Sequence, residues 1–150
     1  MKAGRRQRLR GQRGQASLEL LVTLIVAFTL VFGLFELCLF TYTCSILNDA
    51  VEEGVRYAIM HGTDSSQCSG PDAGCVDQSP YANVQSVVTT AASASLHNLS
   101  GMTVTVTYAN STAAIGNPVS VAVAYNYVPI LNFANLQYSM RVSSQGQIVF

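Results

Sequence analysis

The chain is short of charge. Asp, Glu, Lys and Arg together make up 11% of its 150 residues, against about 25% in an ordinary soluble domain. Hydrophobic residues account for 49%, so the composition is not that of a cytosolic protein. Histidine is scarcer still. His61 and His97 are the two present, each near an expected helix end and neither with Cys or carboxylate neighbours at metal-ligand spacing. No nucleophile elbow, phosphate-binding loop or dinucleotide fingerprint occurs. The expectation is a chain without catalytic residues and without a cofactor. Its length allows one modest domain, or a membrane anchor plus a small one.

The charge that is present is segregated. Lys2, Arg5, Arg6, Arg8, Arg10 and Arg13 are six of the eight basic residues, and all eight acidic ones follow them. Without residues 1–14, two basic and eight acidic side chains remain (2 − 8 = −6), which argues against a nucleic-acid partner. After the cationic head, Ala16 to Tyr42 contains no proline and two charges, Glu19 and Glu36. About 20 helical residues cross a hydrocarbon core of about 30 Å, so the run predicts a single transmembrane helix in contact with membrane lipid. Cations before it and none after it until Arg56 place the amino terminus in the cytoplasm and the remainder outside. An ordinary cleaved signal peptide is disfavoured: the run is about twice the usual 7–15 residues, and no small-x-small site closes it.

The helical pattern outlasts the membrane. Ile46, Leu47, Ala50, Val51, Gly54, Val55, Ala58 and Ile59 form a wide apolar stripe, and Asn48, Asp49, Glu52, Glu53 and Arg56 fill the other face. Glu52, four residues before Arg56, is positioned for an ion pair, and Gly62 supplies a stop. A helix from about Ala16 to His61 would be ~69 Å long. Cys68 and Cys75 then enclose a Gly-, Pro- and Ser-rich loop, where a disulfide is the favoured reading and a metal site the alternative. Cys38 and Cys44, about 240° apart on the helix, cannot bridge within the chain, and packing is their simplest role. Asn98-Leu99-Ser100 and Asn110-Ser111-Thr112 spell glycosylation sequons and no more.

From Tyr81 a second amphipathic helix is expected, with Val84, Val87, Val88, Ala91, Leu96 and Leu99 on one face and Ser100-Gly101 ending it. The period then becomes two. Val104, Val106 and Tyr108 alternate with threonines; Val119, Val121, Val123, Tyr125 and Tyr127 alternate with small or polar residues. A third extended segment runs from Leu136 through Tyr138, Met140 and Val142. Short connections favour an antiparallel meander covered on one face by the helices. The fold class is α+β: a long N-terminal transmembrane helix continuing outside, a short amphipathic helix and about three antiparallel strands. The expected organisation is a cationic leader over 1–14, the transmembrane and protruding helix over 15–61, the loop over 62–80 and the small domain over 81–150.

Gly14-Gln15-Ala16-Ser17-Leu18-Glu19, at the junction of head and apolar run, places a carboxylate five residues after a glycine. A carboxylate there is costly; hydration at the interface or a first-turn helix-dipole role would mitigate it. With Phe35-Glu36-Leu37 and Ala50-Val51-Glu52-Glu53-Gly54-Val55-Arg56-Tyr57-Ala58, the first sixty residues resemble the TadE-like minor pseudopilins of the Tad (tight adherence, Flp) pilus system. Gln15 and Ser17 are also similar to archaeal pilins that begin Gln-x-Ser-x-Glu. The resemblance implies a pilin-like fold and a prepilin peptidase that cuts between Gly14 and Gln15. It further implies pilins or pseudopilins and pilus assembly machinery as partners, assembly contacts at Glu19 and Glu36, and a family motif at Glu53, Gly54, Arg56 and Tyr57. The implied location is the inner membrane, or the pilus itself. The other reading is a permanently anchored single-pass envelope protein whose outer domain binds a partner.

Overall fold

A computed structural model describes residues 4–96, 98–130 and 137–149, with side chains from residue 14 onward. The element order is α1 (Gly4–Met60), α2 (Ala82–Ser93), β1 (Met102–Tyr108), a 3-10 turn (Ala109–Ser111), β2 (Pro118–Tyr127) and β3 (Tyr138–Gln147). Two compact units, Met1–Leu39 and Phe40–Phe150, divide the chain. α1 begins upstream of the expected start near Ala16, because the Arg-, Gln- and Leu-rich head contains good helix formers and no proline.

In the first unit, large apolar residues from Leu18 to Leu37 are exposed on every side of the helix. One helix is thus long and apolar enough to cross a membrane. An all-round apolar surface suits a hydrocarbon solvent.

In the second unit the same helix becomes one-sided. Leu47, Ala50, Val51, Val55 and Ala58 are buried, whereas Asn48, Asp49, Glu52, Glu53 and Arg56 are exposed. This is the stripe predicted from the spacing. Arg56 pairs with Glu53 at 3.7 Å rather than with Glu52; positions three apart share a helix face as well as positions four apart. The pair is open to solvent and contributes little to stability.

The sheet is an antiparallel meander in the order β1-β2-β3. Val104 faces Val123, Val106 faces Val121 and Tyr108 faces Val119, while Val123 and Tyr125 face Val142 and Met140. One face therefore carries the apolar residues, and Val119, Val121 and Val123 are fully buried beneath the helices. Burial of each valine or leucine contributes about 1.5–3 kcal/mol. Pro118 is tolerated because it is the first residue of its strand. Leu136, expected to open β3, and His97 lie outside the described residues.

α2 is shorter than its periodicity suggests. It closes with Ser95 N–H and Leu96 N–H both donating to the Ala92 carbonyl, in a stretch of Thr, Ser and Ala with little intrinsic drive to continue. Leu96 and Leu99 still pack on the core, from the connection rather than from the helix. Val84, Val88 and Ala92 form the buried face. Val88 lies over Gly54: a β-carbon built on Gly54 would overlap the Val88 Cγ2 methyl and stand 3.6 Å from Val121 Cγ1. α1, α2 and β2 meet at a residue without a side chain.

The end of α1 is closed by distant backbone. Val149 N–H donates to the Ile59 carbonyl and Ser69 N–H to the His61 carbonyl, at 3.0 and 2.7 Å. Carbonyls without helical partners are satisfied in this way. Gly62 is not among the glycines with positive φ, which in the described residues are Gly74, Gly101 and Gly116, so the helix stops without the left-handed glycine cap that its sequence suggested.

Gly54→Ala is expected to destabilise the folded domain by about 1–3 kcal/mol through overpacking, outweighing the gain of about 1 kcal/mol in helix propensity. Gly33→Ala, where an added β-carbon meets nothing within 4 Å, is the matched control and should cost nothing. Urea midpoints of the detergent-solubilised chain compare the two.

Candidate functional site

The candidate site residues fall in three groups: the apolar helix of the first unit, the last turns of α1, and the loop that follows. In the first, Gly14, Gln15 and Glu19 are exposed and Glu36 is half-buried. Seventeen residues along a helix separate Glu19 from Glu36, about 26 Å, with no charged side chain between them. That distance approaches the thickness of a hydrocarbon core. The two carboxylates therefore bracket the uncharged stretch instead of forming one acid-base pair. Thr23 and Thr29 return their hydroxyls to the carbonyls of Glu19 and Ile25, each at 2.8 Å, so neither hydroxyl is presented as a bare polar group to its apolar surroundings.

Gly14 and Gly54 differ in what they accommodate. A β-carbon at Gly14 meets nothing within 4 Å, whereas at Gly54 it meets Val88. Packing explains Gly54. It does not explain Gly14, which sits in a helix at a cost of roughly 1 kcal/mol relative to alanine.

In the second group, Tyr57 stacks on His61 with ring centroids 3.9 Å apart, and His61 Nδ1 lies 2.8 Å from the Tyr57 carbonyl oxygen. Glu53 and Arg56 pair on the solvent face. These contacts shape the end of the helix, and they bring no nucleophile beside a base.

The loop is a small polar structure. Cys68 and Cys75 form a disulfide, with Cα atoms 4.8 Å apart, and Cys38 and Cys44 are free. Cys44 Sγ lies 3.3 Å from Met140 Sδ, which is a packing contact. Two carboxylates that sequence reading did not single out organise the loop. Asp72 accepts from the Thr112 hydroxyl at 2.8 Å and from Ala113 N–H, tying the loop to the β1–β2 connection. Asp77 is buried and accepts from the Ser69 hydroxyl at 2.6 Å and Asn83 N–H at 3.0 Å. Tyr81, the residue preceding α2, has φ 63° and offers no side-chain cap. Asp77 caps the helix instead, its negative charge suited to the positive helix end. No local spacing rule connects Asp77 to α2, so its role could be found only in three dimensions.

Tyr108 closes the site, its hydroxyl donating to the Ser69 carbonyl at 2.7 Å. Burial pushes its pKa up to about 12, and the nearby Tyr81 and Asp77 reinforce the shift. Among the described residues no group of three His, Cys, Asp or Glu could hold a metal ion. A groove is lined, among the described residues, by the polar Asn98, Ser100, Tyr125, Asn126 and Gln137 with Gly101 and Val128, none of them a carboxylate or imidazole.

Residues 14–56 match the model of a family described as TadE-like protein. The matched stretch starts at Gly14 and contains both carboxylates of the apolar run and the Glu53-Gly54-Val55-Arg56 turn, but none of the sheet. No curated protein and no solved structure matches the chain.

Two measurements test the loop. Cys68→Ser should increase protease cleavage between residues 68 and 75 while leaving the far-ultraviolet circular dichroism intact, because Asp72, Asp77 and Tyr108 still hold the loop. The second is alkaline unfolding. The folded pKa of Tyr108 lies above its unfolded value near 10, so its contribution is complete below pH 10 and is lost as pH rises towards 12. Roughly 2 kcal/mol should disappear across that window, and Tyr108→Phe should flatten this part of the pH–stability curve.

Proposed function

We propose that this TadE-like chain is a structural or assembly component of a Tad pilus, made with a cationic leader that a prepilin peptidase removes after Gly14. The match over residues 14–56 ties the chain to the Tad pilus system, in which the TadE-like family is structural or assembly-related rather than enzymatic. The observation that carries the processing step is the glycine comparison. Gly14 has open space around it and no packing reason to be glycine, and the family match begins there. A residue without a β-carbon lets extended backbone approach catalytic groups closely, which accounts for a glycine the fold does not need.

Glu19 would then be the fifth residue of the mature chain. In hydrocarbon its carboxylate is expensive to bury alone. A neighbouring chain's newly formed amino terminus would neutralise it and set the axial register of two apolar helices. The cations of the leader hold the amino terminus on the cytoplasmic side, so the folded domain lies outside the inner membrane. Glu36, near the other end of the uncharged stretch, serves as a second assembly contact or reaches the outer interface. The alternative, a permanently anchored envelope protein, draws on the unbroken course of α1 through Gly14 and Gln15.

Intact mass and terminal peptide mapping of chain isolated from membranes decide between them. A start at Gln15 is expected, and a start at Met1 with the peptidase present would favour the fixed anchor. Gly14→Ala should slow processing without changing the folded domain. Glu19→Ala should be processed and fail to support pilus assembly; normal filaments from that strain would remove the register role.

A further inference from the structure

The apolar run must leave the bilayer somewhere, and the residues at that point carry a feature the pilus reading does not use. About 20 residues of helix cross a hydrocarbon core; counted on from Glu19, they end at Leu39, where the first compact unit also ends. Phe40 is the next residue. It packs edge-on against two rings of the sheet, with centroids 5.5 Å from Tyr127 and 6.5 Å from Tyr138. Those tyrosines face each other at the end of the β2–β3 ladder. Tyr42, about 200° from Phe40 around the helix, is exposed.

In the chain that follows Tyr127, Val128 and Ile130 are 50% and 72% exposed, and Tyr138 is 50% exposed. No charged residue lies between Tyr127 and Tyr138 in the sequence. Large apolar and aromatic side chains exposed together mark a surface that is covered in use. Phe40 is the first residue of the second unit and packs on this end of the sheet, so the chain enters the unit beside these rings. Rings with one apolar body and one polar tip are most stable between hydrocarbon and headgroups.

We propose that the β2–β3 end of the domain is a lipid-docking face, on which Val128, Ile130 and Tyr138, braced by Phe40 and the buried Tyr127, rest in the headgroup layer of the leaflet from which α1 emerges. The bilayer is the occupant because the face follows directly in sequence on the apolar run, and Val128, Ile130 and Tyr138 carry no charge to resist partial dehydration. The inference rests on α1 as the membrane anchor and adds a second, independent contact between the domain and lipid.

The chain contains no tryptophan, so single substitutions report cleanly. Full-length Ile130→Trp, Leu24→Trp and Val76→Trp chains are placed in phosphatidylcholine–phosphatidylglycerol vesicles with nitroxide-labelled lipids. Val76 is 73% exposed and lies in the loop bonded to the far end of α1, so it serves as the solvent control. The expected result is blue-shifted emission from Ile130→Trp, quenched most by nitroxide near the headgroups, with Leu24→Trp quenched by acyl-chain nitroxide and Val76→Trp unaffected. Unquenched emission at Ile130 with a quenched Leu24 signal overturns the docking face and leaves the anchor standing. A blue shift at Ile130 without lipid quenching assigns the face to a second copy or another protein and also overturns it. Loss of quenching at Leu24 overturns the anchor itself and the inference with it.

Discussion

Val88 of α2 lies over Gly54 of α1 with no room for a β-carbon between them, and Val121 of the sheet closes the same point from a third direction. The buried half of the domain is arranged around this seam. Because α2 can come so close, its small residues suffice to fill the layer, and a helix of 12 residues built largely from Ala, Val, Ser and Thr becomes stable by packing rather than by propensity. Because α1 is held at Gly54, its stripe from Leu47 to Ala58 is aimed at the sheet and its charged residues at water. Gly146 of β3 repeats the close approach on the other side, with a β-carbon there meeting Val55 and Ile59 side chains at 3.0 and 3.1 Å.

The same helix is thereby governed by two different solvents. Up to Leu37 its apolar side chains are exposed all round, as lipid requires; from Leu47 onward only one face is apolar, as a domain in water requires. The glycines mark the difference. Gly54 is fixed by what presses on it, whereas Gly14 and Gly33 have nothing against them. A glycine in a helix weakens it unless packing or recognition compensates, and for Gly14 packing does not.

Periodicity made most of the architecture legible in the sequence. The stripe on α1, the alternation of Val104 and Val106 with threonine, and that of Val119, Val121 and Val123 with small residues all report which side faces the core, and the meander follows from short connections. Local pattern failed where the deciding contact was distant. The end of α2 is set by a turn that folds back on Ala92, so Leu96 and Leu99 join the core from outside the helix they were expected to extend. Arg56 has acidic neighbours at both three and four residues, and spacing alone does not choose between them. The end of α1 is closed by Ser69 and Val149, and the start of α2 by Asp77, none of which is near enough in sequence to signal its role. Of the loop, the Cys68–Cys75 pair was legible in the sequence; Asp72 and Asp77 were not.

Those two carboxylates bear on the function as well as the fold. In a chain with so little charge, each acid has either water or a defined set of donors. Asp49, Glu52 and Glu53 face solvent, while Asp72 and Asp77 take backbone and hydroxyl hydrogen bonds within the domain. Glu19 differs from these, because its side chain is exposed at the start of the apolar stretch of α1. The cost of keeping a carboxylate there is removed when a cation reaches it. Within a membrane, apolar helices gain little from meeting one another by hydrophobicity alone. On the proposed reading, a single charge relieved on association would supply both a driving force and a fixed register, which is what apolar side chains by themselves lack.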